Sequence, residues 1–529
     1  MSRLVVVLAG VCFLLVACDD PKNPQTWIKK LRDPEHATKA VKELQKIGDP
    51  VAIKPLCDLY KDFESPTILK AIISLAKNDK NKNPDAVQTL ISALEFTEDK
   101  YHNATLAAAA LADMKAVEAV EPLAKVLDRP MAIKSRANLA KLAAIKALAV
   151  LGDKRAVPYL VRTLERRPEQ QDFLLNKESA RAMGKIGDGS PEVVSVLIRA
   201  LFMASTIQGT SFPMARVAIV RMGKPMVQPL IDAMEGKDEK LNKMSKELDF
   251  EDGVVLGKLS RVLGDLMAKE AVPPLLKVFE KANLGDDYTK GIDGVIEALG
   301  RIGTPAVEDP LLKALKNPKV NYKIRMQICQ AFTVMGGRKA VPALLEVAEK
   351  GMIEGGYYNL REAAAMAYSR IVGPEVDEGW PKVEAMMNDP KIKEFKATVG
   401  VFKEALERME VAKECKGDVM CYGKKVNDKS ASLVKREKAG IMIGVLPDGR
   451  KAMADLVKAL PEREPVLRLY FLESAKRIGN ASDKELVALL TDLAERDSKR
   501  KIKFMGADLA SADKVALAVI KNRTAAEAQ

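Results

Sequence analysis

The stretch Leu151-Gly152-Asp153-Lys154-Arg155-Ala156-Val157-Pro158-Tyr159-Leu160 decides the fold. It begins where an apolar helical pattern stops, and Gly152 supplies the left-handed residue on which helices commonly close. Asp153 offers a capping acceptor to the backbone that follows. Pro158 stands where a second helix opens and a missing N–H costs least. The same punctuation returns at Ile47-Gly48-Asp49, Ile186-Gly187-Asp188, Met222-Gly223, Leu263-Gly264-Asp265, Ile302-Gly303, Met335-Gly336 and Val372-Gly373. From Gly152 onward these glycines lie 35, 36, 41, 39, 33 and 37 residues apart, a period that marks stacked helical hairpins.

One unit, Gly291 to Leu315, shows the physics. Ile292, Val295, Ile296, Leu299 and Ile302 recur at helical spacing and give a first helix with one apolar stripe. Gly303 ends it, Pro305 and Pro310 sit where the second helix begins, and Leu311, Leu312 and Leu315 carry that helix's buried face. The composition agrees: 47% hydrophobic but only 5% aromatic suits many short Ala/Leu/Val-packed helices better than a β-sandwich. At 529 residues, stacked repeats let one continuous core run along the chain. The expectation is an all-α fold, an armadillo/HEAT-like α-solenoid of about 11 to 13 helical hairpins.

On these motifs the chain resembles HEAT repeats, in particular the short variety of phycobilin lyases with its Leu-Gly-Asp, then Ala-Val-Pro-x-Leu signature. Leu151 to Leu160 matches it nearly throughout, and Met335 to Leu344 comes close. The resemblance implies a fold. It says little about function, because the motif residues build turns and core. The repeats are expected over 31–410 and again over 431–523, with an irregular Cys-containing insertion at 411–430 and a disordered tail at 524–529. A charged insertion near Leu241 to Gly253 lengthens one connection.

The N-terminus sets the compartment. A basic start at Arg3, an apolar run from Leu4 to Val16 and the tetrapeptide Leu15-Val16-Ala17-Cys18 precede an abrupt polar switch at Asp19. The run is too short to span a bilayer comfortably. It resembles the lipobox of bacterial lipoprotein precursors, which implies that 1–17 is a signal peptide and that Cys18 is lipidated. Several acyl chains, at roughly 0.8 kcal/mol per buried CH₂, make a stable anchor. Residues 18–30 would then be a polar tether, and the protein would face the periplasm from the inner or outer membrane.

Chemistry is sparse. Only His36 and His102 occur, neither beside a second ligand at metal spacing, so no metal site and no cofactor are expected. No phosphate-binding loop, nucleophile elbow or zincin motif is present, and no catalytic residue is assigned. Cys57 and Cys329 fall in apolar helical patterns as small core residues. Cys415 and Cys421 flank Lys-Gly-Asp-Val-Met, and in an oxidising compartment they are expected to form a local disulfide.

The net charge of +13 favours anionic partners. Nucleic acid is not expected, since the chain reads as exported and lacks basic runs interleaved with aromatic residues. One polar slot between apolar pairs recurs in the second helices and is filled mostly by basic residues, including Lys125, Arg162, Arg199, Lys277 and Lys313. In HEAT-like solenoids second helices line the concave surface, so the resemblance implies a basic ladder there, against the plainer reading of a solvated face. The leading expectation is a lipid-anchored envelope scaffold that binds a protein partner and is not an enzyme, with no small-molecule substrate. The alternatives are a spacer binding peptidoglycan or another anionic envelope polymer, and a lyase-like enzyme.

Overall fold

The computed structural model describes residues 20–79, 82–353, 358–500, 503–504 and 507–527. The proposed signal segment and Cys18 lie outside these residues. The chain is all-α, with short two-stranded hairpins at 204–210 and 503–508 as its strands among the described residues. No described helix is long and apolar enough to cross a membrane. The fold divides into two compact units, one of residues up to 163 with 170–175, the other of 164–169 with 176–529.

The turn follows from its residues. Gly152 adopts φ 69 and its N–H donates to the Leu148 carbonyl at 3.0 Å. Asp153 then accepts from the Arg155 N–H at 2.9 Å, capping a single 3₁₀ turn, Lys154–Ala156, before the helix Val157–Glu165 begins. Gly48 and Asp49 repeat this geometry. In the first unit the helices Ala37–Ile47, Pro66–Asn78, Tyr101–Asp113 and Asn138–Leu151 stack side by side. Their buried faces are rich in Ala and Leu.

Residues 20–30, read from the sequence as tether, are partly folded: Pro24–Ile28 is a short helix that buries Trp27, with the ammonium groups of Lys30 and Lys39 over its ring. The indole is too large an apolar surface to leave in water.

In the second unit eight of the hairpins' first helices form a closed ring, and a further one, Lys396–Cys415, packs on two neighbouring members of it. In chain order the eight are α1 (Phe212–Met222), α2 (Val254–Asp265), α3 (Ile292–Ile302), α4 (Tyr322–Met335), α5 (Asn359–Ile371), α6 (Leu433–Val445), α7 (Pro465–Ile478) and α8 (Leu509–Asn522). Each packs on the next, and α8 returns to α1, where Val515, Ala518 and Val519 bury against Val217 and Val220. Small residues cause the closure. A Cβ at Gly264 would lie 2.7 Å from Ala298 Cα, one at Gly300 2.8 Å from Ala331 Cα, and one at Gly444 2.7 Å from Ser474 Cα. First helices therefore meet at backbone distance while bulkier second helices are held apart, and the stack curves toward the first helices.

Here the structure corrects the sequence reading. The concave side of this unit belongs to first helices, and the second helices lie outside. Gly264 is not a helix-ending glycine either, because α2 runs through it to Asp265 and Met267 takes the left-handed turn, at φ 51. Residues 411–430 are not irregular: Lys396–Cys415 is a 20-residue helix, Lys416 and Gly417 turn the chain at positive φ, and Val419–Val426 is helical again. The charged segment near Leu241 holds the helix Glu239–Glu247, buried through Leu241 alone. Of the tail, 524–527 form a turn held by local hydrogen bonds, and 528–529 lie outside the described residues. Thr524 donates through its N–H and hydroxyl to Glu527, and Arg523 donates to the Lys476 and Arg477 carbonyls.

One end of the ring is sealed by basic and amide side chains. The C-terminal end of a helix presents unpaired carbonyls and partial negative charge. Arg477 of α7 donates to the Gly300 and Arg301 carbonyls of α3, Asn522 of α8 to the Val220 and Arg221 carbonyls of α1, and the fully buried Lys438 of α6 to the Arg370 and Val372 carbonyls at the end of α5.

Candidate functional site

The ring encloses a cavity of about 1030 Å³, walled by α1, α3, α4, α7 and α8, by the preceding helix Phe173–Ile186, by the 204–210 hairpin and by Ser498. Six cationic side chains line it, Lys177, Arg181, Arg216, Arg301, Lys476 and Lys514, against two carboxylates, Glu297 and Glu473. The rest of the wall mixes apolar groups such as Phe212, Val466 and Leu469 with the amides of Gln327 and Gln330.

The deepest charges hold one another. Asp265, fully buried behind the wall, accepts from Arg216 and Arg301, at 2.7 Å in each case. Burial works to raise its pKa, but the two guanidinium groups outweigh that and bring it down to about 2. Arg301 also pairs with Glu297 at 2.8 Å, and Glu297 accepts from Arg261 at 2.9 Å. Glu473 pairs with Lys476 at 2.7 Å; burial lowers the lysine's pKa, and Glu473 works against that shift. At the opposite end of the wall, Lys177 donates to the Gln208 carbonyl, and Lys514 to Ser498 Oγ at 2.6 Å. Ser511 lines the cavity with its hydroxyl buried and, among the described residues, without a hydrogen-bond partner.

The residues singled out from the sequence stand elsewhere. In the first unit Lys125 is exposed, while Arg162 binds Asp128 at 2.8 Å and lies over the Tyr159 ring. In the second unit Arg199 is largely covered, bound to Glu165 at 2.6 Å and to Ser195 at 2.7 Å. Lys277 and Lys313 are exposed on second helices. None of the five lines the cavity. Cys415 and Cys421 are disulfide-bonded, with Cα atoms 5.3 Å apart across the turn between two helices. Cys57 and Cys329 are buried thiols, and burial pushes Cys329 up to about 12. Among the described residues no three His, Cys, Asp or Glu side chains are placed to hold a metal ion.

Sequence reasoning missed the cavity because its charges are scattered among apolar positions, Arg216 lying 49 residues before Asp265 and Arg301 36 after it. One signal was present. Asp265 directly extends the buried stripe of Leu259, Val262 and Leu263, where an acidic residue needs a partner.

Residues 140–166 and 294–317 match the profile of the PBS lyase HEAT-like repeat. These two segments are HEAT-like repeats, set in an all-α stack of helical hairpins. Among curated proteins none matches the sequence. Similar solved structures include Kap121p bound to Pho4p, 11% identical over 93% of this chain and 60% of that one, with a TM-score of 0.49. Kap95p in complex with RanGDP is 12% identical over 93% and 76% of the two chains, with a TM-score of 0.45. Importin beta is 13% identical over 93% and 72%, with a TM-score of 0.36. This HEAT-like chain thus spans 60% of the Kap121p chain it matches.

Proposed function

We propose that this HEAT-repeat protein is a lipid-anchored scaffold of the bacterial cell envelope, held to the membrane through Cys18, that captures a protein partner and catalyses no reaction. One observation carries the binding reading: the second unit builds a net cationic cavity, open at one end, whose deep charges are locked in ion pairs. A site that spends Arg216, Arg301 and Lys476 on fixing its own walls presents shape and charge to whatever enters it. The buried thiols fit that reading, since a thiol held near 12 yields little thiolate. Export and lipidation rest on the Leu15-Val16-Ala17-Cys18 motif.

The test is crosslinking in intact cells, followed by purification of the membrane-bound protein and mass spectrometry of what accompanies it. A recurrent protein partner is expected, together with release of the chain from the membrane fraction by Cys18→Ala. Recovery of cell-wall fragments alone would replace the scaffold by a polymer-binding spacer.

A further inference from the structure

The cavity is graded along its axis. The first helices of a hairpin stack run the same way, so their N-terminal turns share one end of the ring. On α7, Val466 and Leu469 lie in the first turns and Glu473 and Lys476 in the last, a span of roughly 15 Å. Phe212 opens α1, and Ser511 and Lys514 stand in the first turns of α8. Arg301 lies in the last turn of α3, and Arg477 and Arg523 seal that end. One end is therefore a lip combining apolar surface with Lys177 and Lys514, and the other is a closed, charged floor.

Three features narrow the occupant. The charge stays net positive even when Asp265 behind the wall and Glu178, bound to Arg181, are counted with Glu297 and Glu473, which selects an anion. The volume of about 1030 Å³ is at the upper limit of small-molecule sites and has room for several residues of extended chain. The neutral polar groups are amides and hydroxyls, among them Gln327, Gln330, Thr210 and Ser511, the last without a partner among the described residues, and such groups both donate and accept as peptide groups require. A phosphate would call for donors alone.

We propose that this cavity binds an extended acidic segment of the protein partner, its carboxylates toward Lys177 and Lys514 at the lip and an apolar side chain against Phe212, Val466 and Leu469, while Arg181, bound to Glu178 at 2.6 Å, adds to the positive wall. The inference rests on the scaffold reading and names the surface and chemistry through which capture occurs.

The probe is a fluorescein-labelled nonapeptide of alternating Glu and Leu, titrated by anisotropy into the full mature chain at two salt concentrations. A Lys/Leu counterpart and dodecyl phosphate serve as comparisons. Binding of the Glu/Leu peptide that weakens with salt is expected, with a loss of about ten-fold in the double variant K177E/K514E. Ser511→Ala is expected to weaken binding about three-fold while leaving the melting temperature unchanged or raised, because it removes an unsatisfied buried hydroxyl. Equal binding of the two peptides, indifference to K177E/K514E, or binding of dodecyl phosphate where the Glu/Leu peptide fails would each overturn the proposal. K177E/K514E then enters the cellular crosslinking. A partner retained by the variant overturns the cavity assignment and leaves the scaffold standing, whereas no partner with the unaltered chain overturns the scaffold itself.

Discussion

The Arg477 guanidinium donates to the Gly300 carbonyl at 3.3 Å across 177 positions of sequence, tying α7 to the end of α3. The carbonyls it satisfies have lost their own helical partners, and burial lowers the arginine's pKa to about 10. Arg477→Ala leaves both carbonyls orphaned beside a void, so a loss of about 2 to 4 kcal/mol is expected in urea unfolding. Hydrogen exchange locates the effect: amides around Gly303 should exchange faster, while those of the first unit stay unchanged.

Gly264 fixes the curvature at one joint of the ring. Any side chain there meets Ala298 Cα, a backbone atom that cannot swing aside. Gly264→Ala is expected to cost about 1 to 3 kcal/mol even though alanine is the better helix former, because overpacking at a backbone contact outweighs helix propensity. Gly152→Ala tests the other role of this motif. Its site is spacious but needs φ 69, so the penalty there should come from backbone strain without any change in ring packing. Urea unfolding gives both magnitudes, and small-angle scattering should register a change of shape for Gly264→Ala alone.

That contrast marks the limit of the sequence. Leu151-Gly152-Asp153 and Leu263-Gly264-Asp265 read alike, yet one closes a helix and caps a turn while the other seats a close helix contact and a buried carboxylate. The hairpins were legible because each turn is specified within ten residues by conformational preferences of Gly, Asp and Pro. Curvature was not, because it depends on which helix layer holds the closer contacts, and the resemblance to other solenoids assigned that layer wrongly for the second unit. Closure of α8 onto α1 joins Val515 to Val217, and no local pattern encodes a partner so distant. The disulfided turn looked irregular because its two helices lack the repeat signature, although Val401, Ala405 and Met409 already held a helical stripe.

The Cys415–Cys421 bridge closes so short a loop that its entropic contribution is about 2 kcal/mol. Thiol titration of the denatured, unreduced mature chain should find Cys57 and Cys329 reactive and Cys415 and Cys421 silent until reductant is added. Cys415→Ser with Cys421→Ser is expected to keep the helical content and to lower the melting temperature by a few degrees. Both cysteines reacting without reductant would show that the bridge does not form.

The α7–α8 joint carries a pH dependence whose sign can be worked out. Arg468 is buried between two carboxylates, Asp497 and Asp513, at 2.7 Å from each. One guanidinium cannot neutralise both. Burial raises Asp513 to about 6, with the Asp497 charge adding to the shift and Arg468 opposing it. A carboxyl whose pKa is higher folded than unfolded binds its proton more tightly in the folded state. Its contribution therefore favours folding at low pH and declines as pH rises from about 4, the unfolded value, to about 6, beyond which the deficit is constant. Asp513→Asn keeps the shape without the titration, so it should flatten this component between pH 4 and 6.5 and raise the melting temperature relative to the unaltered chain at pH 7.5. Thermal unfolding across that range decides it: parallel pH profiles for the two proteins would show that Asp513 is ionised with an ordinary pKa and that Arg468 serves both carboxylates.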